Sequence, residues 1–286
     1  MNYFLTGGTG FIGRFLVEKL LARGGTVHVL VREQSQDKLD KLRERWGADE
    51  TQVKAVIGDL TSKNLGIDAK TMKALKGKID HFFHLAAVYD MGADEEAQQA
   101  TNIEGTRAAV NAAEAMGAKH FHHVSSIAAA GLFKGIFRED MFEEAEKLDH
   151  PYLRTKHESE KVVREECKVP FRIYRPGMVI GHTATGEMDK VDGPYYFFKM
   201  IQKIRHALPQ WVPTIGVEGG RLNIVPVDFV VNAMDHIAHL EGEDGKCFHL
   251  VDTDPYKVGE ILNIFSEAGH APRMGMRIDS RMFGFI

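Results

Sequence analysis

The sequence predicts an α/β fold, a doubly wound parallel sheet followed by a smaller C-terminal lobe. Short, continuously apolar runs alternate with stretches of helical periodicity, which is typical of strands buried on both faces of a parallel sheet. Three glycines spaced three residues apart, Gly7, Gly10 and Gly13, follow the first apolar run and open the first helical stretch. Between Gly177 and Gly220 the alternation gives way to glycine, proline and aromatic residues, so we expect a separate lobe there.

The apolar runs are the predicted strands. In chain order they read NYFLT, TVHVLVR, QVKAVIG, DHFFHLAA, HFHHVSS, FRIYRP, RLNIVPV and KCFHLV. The helix-like stretches are Phe11–Arg23, Asp37–Trp46, Thr71–Leu75 and Glu95–Met116. Right-handed crossovers between parallel strands would place these helices on both faces of the sheet. We expect the sheet domain at 1–176 plus about 222–252, and the lobe at about 177–221 and 253–286.

Composition narrows the class of protein. The chain has 286 residues, of which 44% are hydrophobic and 27% charged, as in a globular protein with a sizeable core. The net charge of −4 and the absence of a Lys/Arg block argue against a nucleic-acid partner. The two cysteines, Cys167 and Cys247, lie far apart and are too few for a disulfide framework, which fits a reducing compartment.

Targeting signals are not evident in the sequence. The chain enters the run NYFLT without a basic segment, and it contains no run of about 18 apolar residues, so neither a secretory signal nor a membrane-spanning helix is predicted. We therefore expect a cytoplasmic protein. The final residues, RMFGFI, are unusually apolar for a chain end, so we expect the chain to be part of a longer protein.

The glycine turn predicts a dinucleotide site and a Rossmann-type domain. Glycines at these positions let the turn tighten and let backbone N–H groups approach a pyrophosphate at the N-terminus of a helix. Thr6, Phe11 and Ile12 border the same turn and are predicted to contact the cofactor. The alternative is a tight strand–helix turn that binds nothing, but such a turn needs one glycine and not three in step.

The end of the second strand favours NADP(H) over NAD(H). NAD-binding domains carry an acidic residue there for the ribose 2′-hydroxyl, whereas this chain has Val31 and Arg32. The guanidinium of Arg32 suits a 2′-phosphate, and Arg14 could join it, although a surface role for Arg14 is an equal alternative. After the third strand, Asp59 and Leu60 are predicted to lie beside the adenine. After the fourth, small residues are predicted to admit the dinucleotide backbone: Ala86 and Ala87.

The segment HPYLRTKHESEK places Tyr152 and Lys156 four residues apart, on one face of a helix. Alone, the pair occurs often by chance. Together with the preceding features, the chain resembles the extended short-chain dehydrogenase/reductase superfamily over nearly its whole length. The resemblance implies that Ser126 in HHVSSIAAAG, with Ser125 as its neighbour, polarises a substrate carbonyl. It also implies that Tyr152 donates a proton and that Lys156 stabilises the phenolate.

Two further segments match this superfamily. Asn102, in QATNIEGTRAAV, corresponds to the helix asparagine that helps hold the lysine and a water. The segment YRPGMVIG corresponds to the stretch whose backbone meets the nicotinamide amide. The contacts implied there are Pro176, Gly177 and Val179.

The likeness is closest to the N-terminal reductase module of bacterial alcohol-forming fatty acyl-CoA reductases. It is carried by MNYFLTGGTGFIGRFLVEKLLARGG, NIEGTRAAVNAAEAMGAKHFHHVSSIAAAG and RPGMVIGH. It implies NADPH-dependent reduction of a long acyl chain, from thioester to aldehyde or from aldehyde to alcohol, and a second reductase module in the full-length chain. Alternatives are a nucleotide-sugar epimerase, a steroid or flavonoid reductase, and a non-catalytic NADP(H) sensor.

Two apolar loops suggest where an acyl chain would bind. They are Gly131–Phe142 and Gly193–Pro213, and the aromatic and methionine residues proposed to line a tunnel are Phe133, Phe137, Phe142, Tyr196, Phe197, Met200 and Trp211. An ordinary lobe core is an equal alternative, and a surface facing a membrane or a further module is a third. Basic residues of the second loop, at positions 199, 203 and 205, fit a solvated helix face better than CoA phosphates. No metal site is predicted, because the histidines lack ligand spacing.

Overall fold

The structure is a computed structural model that describes residues 1–87, 95–189, 195 and 197–279. It divides into two compact units, Met1–Gly177 with Pro226–Leu250 and Met178–Val225 with Val251–Ile286. The unit boundaries thus follow Gly177, Val225 and Leu250, whereas the sequence placed them near residues 176, 221 and 252.

The first unit contains most of the regular structure. Its strands are β1 (Asn2–Thr6), β2 (Thr26–Val31), β3 (Val53–Ile57), β4 (His81–His84), β5 (His120–Val124), β6 (Phe171–Pro176) and, late in the chain, β10 (Cys247–Leu250). Its helices are α1 (Phe11–Ala22), α2 (Gln36–Trp46), α3 (Ala69–Leu75), α4 (Glu95–Gln98), α5 (Gly105–Met116), α6 (Pro151–Glu166) and α8 (Val227–Ala238).

These seven strands form one parallel sheet in the order β10-β6-β5-β4-β1-β2-β3. Strands β2 and β3 lie on one side of β1, and strands β4, β5 and β6 lie on the other. The point between β1 and β4 is therefore the topological switch point of a doubly wound sheet. The predicted α/β class and Rossmann-type topology are confirmed. Because all strands are parallel, the residues that follow β1, β4 and β5 meet at one edge of the sheet, and the site residues lie there.

Side chains from both faces of the sheet are buried by helices. Phe4 packs in a core cluster with Ala109 and Met116 of α5, whereas the hydroxyl of the preceding Tyr3 hydrogen-bonds His239, at the end of α8, over 2.9 Å. Successive side chains of a strand point to opposite faces, so these two contacts show that both faces are covered. This explains why the strand sequences are continuously apolar.

Two predicted elements differ from the structure. The helix predicted over Glu95–Met116 contains a π-helical segment, Gln99–Glu104, between α4 and α5. The strand predicted for RLNIVPV is reduced to β9, Ile224–Pro226, which lies outside the main sheet. The reason is that the apolar run is shared between two elements: Pro226 is the N-cap of α8, and the remaining apolar residues form that helix.

The second unit is small and mixed. Its elements are β7 (Met178–Ile180), α7 (Phe197–Ala207), β8 (Thr214–Glu218), α9 (Val258–Ala268) and β11 (Met274–Asp279). β8 pairs in parallel with β11, and β7 pairs with β9. Helices α7 and α9 pack together, with the rings of Phe198 and Phe265 5.0 Å apart. No helix in the part of the chain that the structure describes could cross a membrane.

Candidate active site

The glycine turn after β1 is closely packed against backbone. Gly7 has a φ of +72°, and a Cβ atom there would lie 2.7 Å from the backbone nitrogen of Ala86. A Cβ on Gly13 would lie 2.2 Å from the Gly7 carbonyl oxygen. Gly10 differs, since within 4 Å its Cβ would meet only the Gly7 oxygen, at 3.2 Å. The turn is therefore closed toward the protein and open at Gly10, which is the shape that a pyrophosphate requires.

Helix α1 begins directly after this turn. Gly10 is its N-cap, and no side chain caps the helix there. Phe11 and Ile12 form the first turn and are half-buried. Backbone N–H groups at such a helix start, together with the helix dipole, favour an anion. The site predicted from the glycine spacing thus has the geometry of a phosphate cradle, although the hydroxyl of Thr6 is fully buried and turns inward.

Two arginines lie near the predicted adenosine end. Arg32 directly follows β2 and is exposed. Hydrogen bonds from Thr61 lower the pKa of the Asp59 carboxyl, and the charge of nearby Arg32 lowers it further. Arg14 is half-buried, with its guanidinium over the rings of Phe11 and Phe15 at 5.2 and 5.1 Å. Arg32 therefore places a cation near the ends of β2 and β3, where a ribose phosphate would lie, whereas Arg14 lies on α1 against its aromatic rings.

Three other residues predicted to contact the cofactor, Leu60, Ala86 and Ala87, follow the third and fourth strands. Leu60 packs on Gly105 of α5, where a Cβ would lie 2.8 Å from the Leu60 Cγ. Ala86 follows β4 beside the glycine turn and donates its N–H to the hydroxyl of Thr6 over 3.3 Å. Ala87, next in the chain, is half-buried. The carboxyl ends of β1 and β4 therefore form one continuous rim.

The nicotinamide segment continues from β6. Pro176 is the last residue of that strand and Gly177 is buried, with its N–H bonded to the Leu250 carbonyl over 3.1 Å. Val179 lies in β7 and belongs to the second unit.

Tyr152 and Ser126 are close enough to interact electrostatically. Tyr152 lies in the first turn of α6, where Pro151 starts the helix and the His150 Nδ1 accepts the Tyr152 N–H over 3.2 Å. Burial raises the pKa of Tyr152, and a side-chain hydrogen bond with Ser126 opposes that rise. Ser126 also caps the short turn after β5, its Oγ accepting the Ala128 N–H over 3.1 Å. Ser125, by contrast, donates to Glu160.

Lys156 lies one turn after Tyr152 on α6. Its side chain is 5% exposed, and its Nζ donates to the Val124 carbonyl over 3.2 Å at the end of β5. Burial lowers the pKa of Lys156 to about 8, against the opposing effect of the Glu160 carboxylate. Lys156 is therefore largely protonated at neutral pH but loses its proton under mildly alkaline conditions, and such tuning is common in active sites.

Asn102 lies within the π-helical segment, and such segments are frequent at functional sites. Its Nδ2 donates to the Thr155 Oγ1 over 3.2 Å, next to Lys156 in sequence. The backbone carbonyl oxygen of Asn102 accepts a hydrogen bond from the Thr106 hydroxyl over 2.6 Å. The His84 ring in turn bridges Thr106 and Thr6, over 3.0 and 2.7 Å. A buried hydrogen-bond chain therefore runs from the glycine turn to Asn102.

The predicted substrate residues are divided between the two units. In the first, the rings of Phe133 and Phe137 are 5.4 Å apart, whereas Phe142 is buried and stacks on His157 at 4.3 Å, as a core residue does. In the second, exposed apolar side chains lie on and after α7: Phe197 at 37%, Met200 at 39% and Trp211 at 82%. Tyr196 lies outside the described residues.

Sequence reasoning missed several polar residues around these side chains. They are Glu160, Arg175, His84 and Thr106, all buried. One signal was present, because Glu160 follows Lys156 by four residues and so lies on the same helix face. Within the described ranges, no group of three or more histidine, cysteine or acidic side chains could hold a metal ion.

Comparison with known proteins identifies relatives over most of the chain. Residues 5–234 match the NAD-binding family described as "Male sterility protein". The chain is 30% identical, over 87% of its length, to the non-canonical nonribosomal peptide synthetase FrzA of a Cladobotryum species, and equally to the aldehyde reductase lnbA of Aspergillus flavus. It covers only 26% of each of these proteins. The terminal R domain of the myxalamid PKS-NRPS pathway superposes with a TM-score of 0.78 at 27% identity, over 96% of this chain and 71% of that one.

Proposed function

The chain belongs to the NAD-binding Male sterility protein family, and from this membership and the geometry above we propose that it is an NADPH-dependent reductase of long-chain fatty acyl substrates. As an NAD(P)-binding oxidoreductase of the extended short-chain dehydrogenase/reductase type, it would convert an acyl thioester to the aldehyde, a fatty aldehyde to the alcohol, or both. The observation that carries the proposal is the placement of Tyr152 and buried Lys156 one helical turn apart on α6, with Ser126 close enough to Tyr152 to lower the pKa of its phenol.

The residues present fit a dinucleotide. Substituents on Gly7 or Gly13 would collide with backbone, and the open side at Gly10 faces a helix start without a side-chain cap. Arg32 and Arg14 would hold a 2′-phosphate, which favours NADP(H). When bound, the cofactor supplies the hydride, and the protein supplies orientation and protons.

The proton chemistry belongs to three side chains. Ser126 would donate a hydrogen bond to the substrate carbonyl oxygen and so polarise it. Tyr152 would give its phenolic proton to the oxygen as negative charge develops there. The nearby ammonium of Lys156 would stabilise the resulting phenolate, which offsets the rise in the Tyr152 pKa caused by burial. Asn102, through Thr155, would keep the lysine segment of α6 in place.

The names of the relatives bear on the substrate. One relative is called an aldehyde reductase, which supports the second reduction step. Others are called peptide synthetases, so a second candidate is an acyl chain delivered on another protein module and not on CoA. The chain spans about a quarter of the length of the first relative, which is compatible with a reductase module that works beside others.

We propose a lipid as the small-molecule partner and a further reductase module in the full-length chain. Peripheral contact with a membrane is a further proposal, supported by the exposed apolar side chains of α7. A cytoplasmic location is proposed because both cysteines are free thiols.

Measured NADPH consumption tests the function. Acyl-CoA, acyl-pantetheine and aldehyde substrates from about four to about eighteen carbons would be compared. If Phe133 and Phe137 contact the chain, each added CH₂ contributes up to about 0.8 kcal/mol, or roughly fourfold in kcat/KM, until the site is full. A Phe133→Ala variant should flatten the series without changing the rate with the shortest aldehyde. A flat series in the unaltered protein would contradict a long-chain substrate, and no consumption with any carbonyl compound would contradict the reductase itself.

A further inference from the structure

A buried ion pair lies behind the catalytic residues and takes no part in the chemistry proposed above. Glu160 of α6 and Arg175 of β6 are both fully buried. The Arg175 Nη2 donates to the Glu160 Oε1 over 2.6 Å, and its Nε donates to the Oε2 over 3.0 Å. This is a two-point pairing of guanidinium and carboxylate, which fixes the relative orientation of both side chains.

The carboxylate also holds the serine turn. The hydroxyl of Ser125 donates to the Glu160 Oε2 over 2.7 Å. Ser125 immediately precedes Ser126, whose hydroxyl meets Tyr152. Glu160 lies one turn after Lys156 on the same helix. A single carboxylate therefore connects the turn that carries Ser126 with the helix that carries Tyr152 and Lys156.

The guanidinium holds a third segment, the loop 131–142. Its Nη2 donates to the Met141 carbonyl over 3.0 Å, and its Nη1 lies 3.5 Å from the Arg138 carbonyl. The ring of Phe137 lies over the guanidinium, 5.1 Å from centroid to carbon. The same loop carries exposed apolar side chains, Leu132 at 60% and Ile136 at 84%. Arg175 thus anchors the base of a loop whose tip is available to a ligand.

Arg164 offers a natural comparison. Its Nε and Nη2 also donate to the Glu160 Oε1, over 2.9 and 2.8 Å. Unlike Arg175, its side chain is 24% exposed. Its guanidinium lies 4.7 Å from the Phe142 ring, which is buried and stacked on His157. It therefore pairs with the same oxygen at a site closer to solvent.

We infer that Glu160 and Arg175 are positioning residues that hold the serine turn, the catalytic helix and the loop 131–142 in one arrangement, so that substrate contact at the loop is coupled to the geometry of Ser126 and Tyr152. The inference rests on the proposed reductase function for its kinetic part only. A buried ion pair seldom adds stability over an apolar pair of similar volume. What this pair provides is orientation, since its hydrogen bonds reach both the serine turn and the loop 131–142 from α6 and β6.

Three variants separate the connections. Arg175→Lys keeps the charge but loses the fork that reaches both loop carbonyls. Ser125→Ala removes the connection to the serine turn alone. Arg164→Gln is the matched control, because it removes a charge from the same carboxylate oxygen without touching the Arg138 or Met141 carbonyl. The double variant Glu160→Gln/Arg175→Met leaves neither of these two charges buried alone and replaces Arg175→Lys, for hydrogen exchange only, if that variant does not fold, because Lys156 and Arg164 also lose the carboxylate.

The first readout is amide hydrogen exchange of residues 138–142, which needs no activity. The Met141 N–H donates to the Arg138 carbonyl within this segment, over 3.2 Å, so it has protection to lose. Arg175→Lys should accelerate the exchange of the Met141 N–H by roughly tenfold or more, whereas Ser125→Ala and Arg164→Gln should leave it unchanged. Unchanged exchange in Arg175→Lys, or equal acceleration in Arg164→Gln, would overturn the inference for the loop.

The second readout is steady-state kinetics with NADPH binding measured separately. Arg175→Lys and Ser125→Ala should each lower kcat by roughly tenfold while the NADPH Kd stays within about twofold. Arg175→Lys alone should also raise KM for the longest aldehyde more than for the shortest. A general structural defect would instead weaken NADPH binding and shift all substrates equally, which would refute coupling. If the unaltered protein reduces no carbonyl compound, the proposed function fails, and the exchange experiment still decides the positioning role.

Discussion

Lowering the pH from 7.5 to 5.5 should strongly destabilise this protein because it buries neutral histidines. Burial lowers the pKa of His28 to about 4, and that of His81 and of His84 to about 3. Burial also lowers the pKa of His122 and of His123 well below the usual value. The unfolded chain binds protons near pH 6.5, whereas the folded chain cannot do so until a much lower pH. Stability is therefore fully present above pH 6.5 and is lost as the pH falls.

The loss follows from proton linkage. At pH 5.5, one unit below the unfolded pKa, each such histidine costs about 1.4 kcal/mol of unfolding free energy. The three with pKa values of about 3 to 4 together cost about 4 kcal/mol. His122 and His123 add to this loss in the same direction, so the total is a large part of the stability of an ordinary domain, about 5–15 kcal/mol.

Urea unfolding followed by circular dichroism at pH 7.5, 6.5 and 5.5 measures this effect. The midpoint should fall between pH 7.5 and 6.5 by about a quarter of its total change, because each unfolded histidine is half protonated at pH 6.5, and it should fall most steeply between pH 6.5 and 5.5, with an unchanged m-value. His28→Gln should recover about 1.4 kcal/mol of the loss at pH 5.5. A midpoint that does not move between pH 7.5 and 5.5 would show that these histidines are protonated in the folded state, and it would refute the reasoning.

Three further predictions concern the site. Tyr152→Phe removes the proton but keeps the ring, so turnover should fall by roughly 10²-fold or more while NADPH fluorescence titrations remain unchanged; near-normal turnover would exclude the tyrosine as the acid. Arg32→Asp places a carboxylate where a 2′-phosphate is expected, so KM for NADPH should rise strongly and KM for NADH little; an unchanged ratio of the two would mean that Arg32 does not contact the phosphate. Gly13→Ala would put a Cβ 2.2 Å from the Gly7 carbonyl oxygen, so it should lower both the NADPH affinity and the melting temperature. Gly220→Ala is the control, because a Cβ there meets nothing within 4 Å. Equal melting temperatures for the two variants would contradict the close packing of the turn.

The sheet could be predicted because its strands are short, buried on both faces and separated by helices. NYFLT corresponds residue for residue to β1, and the runs for β2, β3 and β6 agree within about one residue at each end. The run RLNIVPV could not be assigned correctly, since its apolar residues serve β9 and then α8 on either side of Pro226. The π-helical turn at Asn102 was also beyond reach, because its hydrogen-bond offset leaves the apolar pattern of a helix nearly unchanged.

Some of the site residues could likewise be predicted from the sequence, and others could not. Local spacings indicated Gly7, Gly10 and Gly13 and the pair Tyr152 and Lys156, because these residues act within one turn or one helix face. The connections that hold the site join segments far apart in sequence. Arg175 contacts Met141, 34 residues earlier, and no periodicity in either segment indicates the contact. A single sequence shows which groups are near each other on one element, but not which elements those groups will join.

The hydrogen-bond chain at His84 makes one imidazole a spectroscopic reporter. The Thr106 hydroxyl donates to the Asn102 carbonyl, so it can only accept from the His84 Nε2, and the Thr6 hydroxyl must then donate to the Nδ1. His84 is therefore locked as the Nε2–H tautomer, with its proton shielded from solvent. Such a proton exchanges slowly and gives a resolved signal far downfield in a proton NMR spectrum. Because Thr6 precedes the glycine turn, that one resonance should shift when a dinucleotide binds, in the unaltered protein and without any added label.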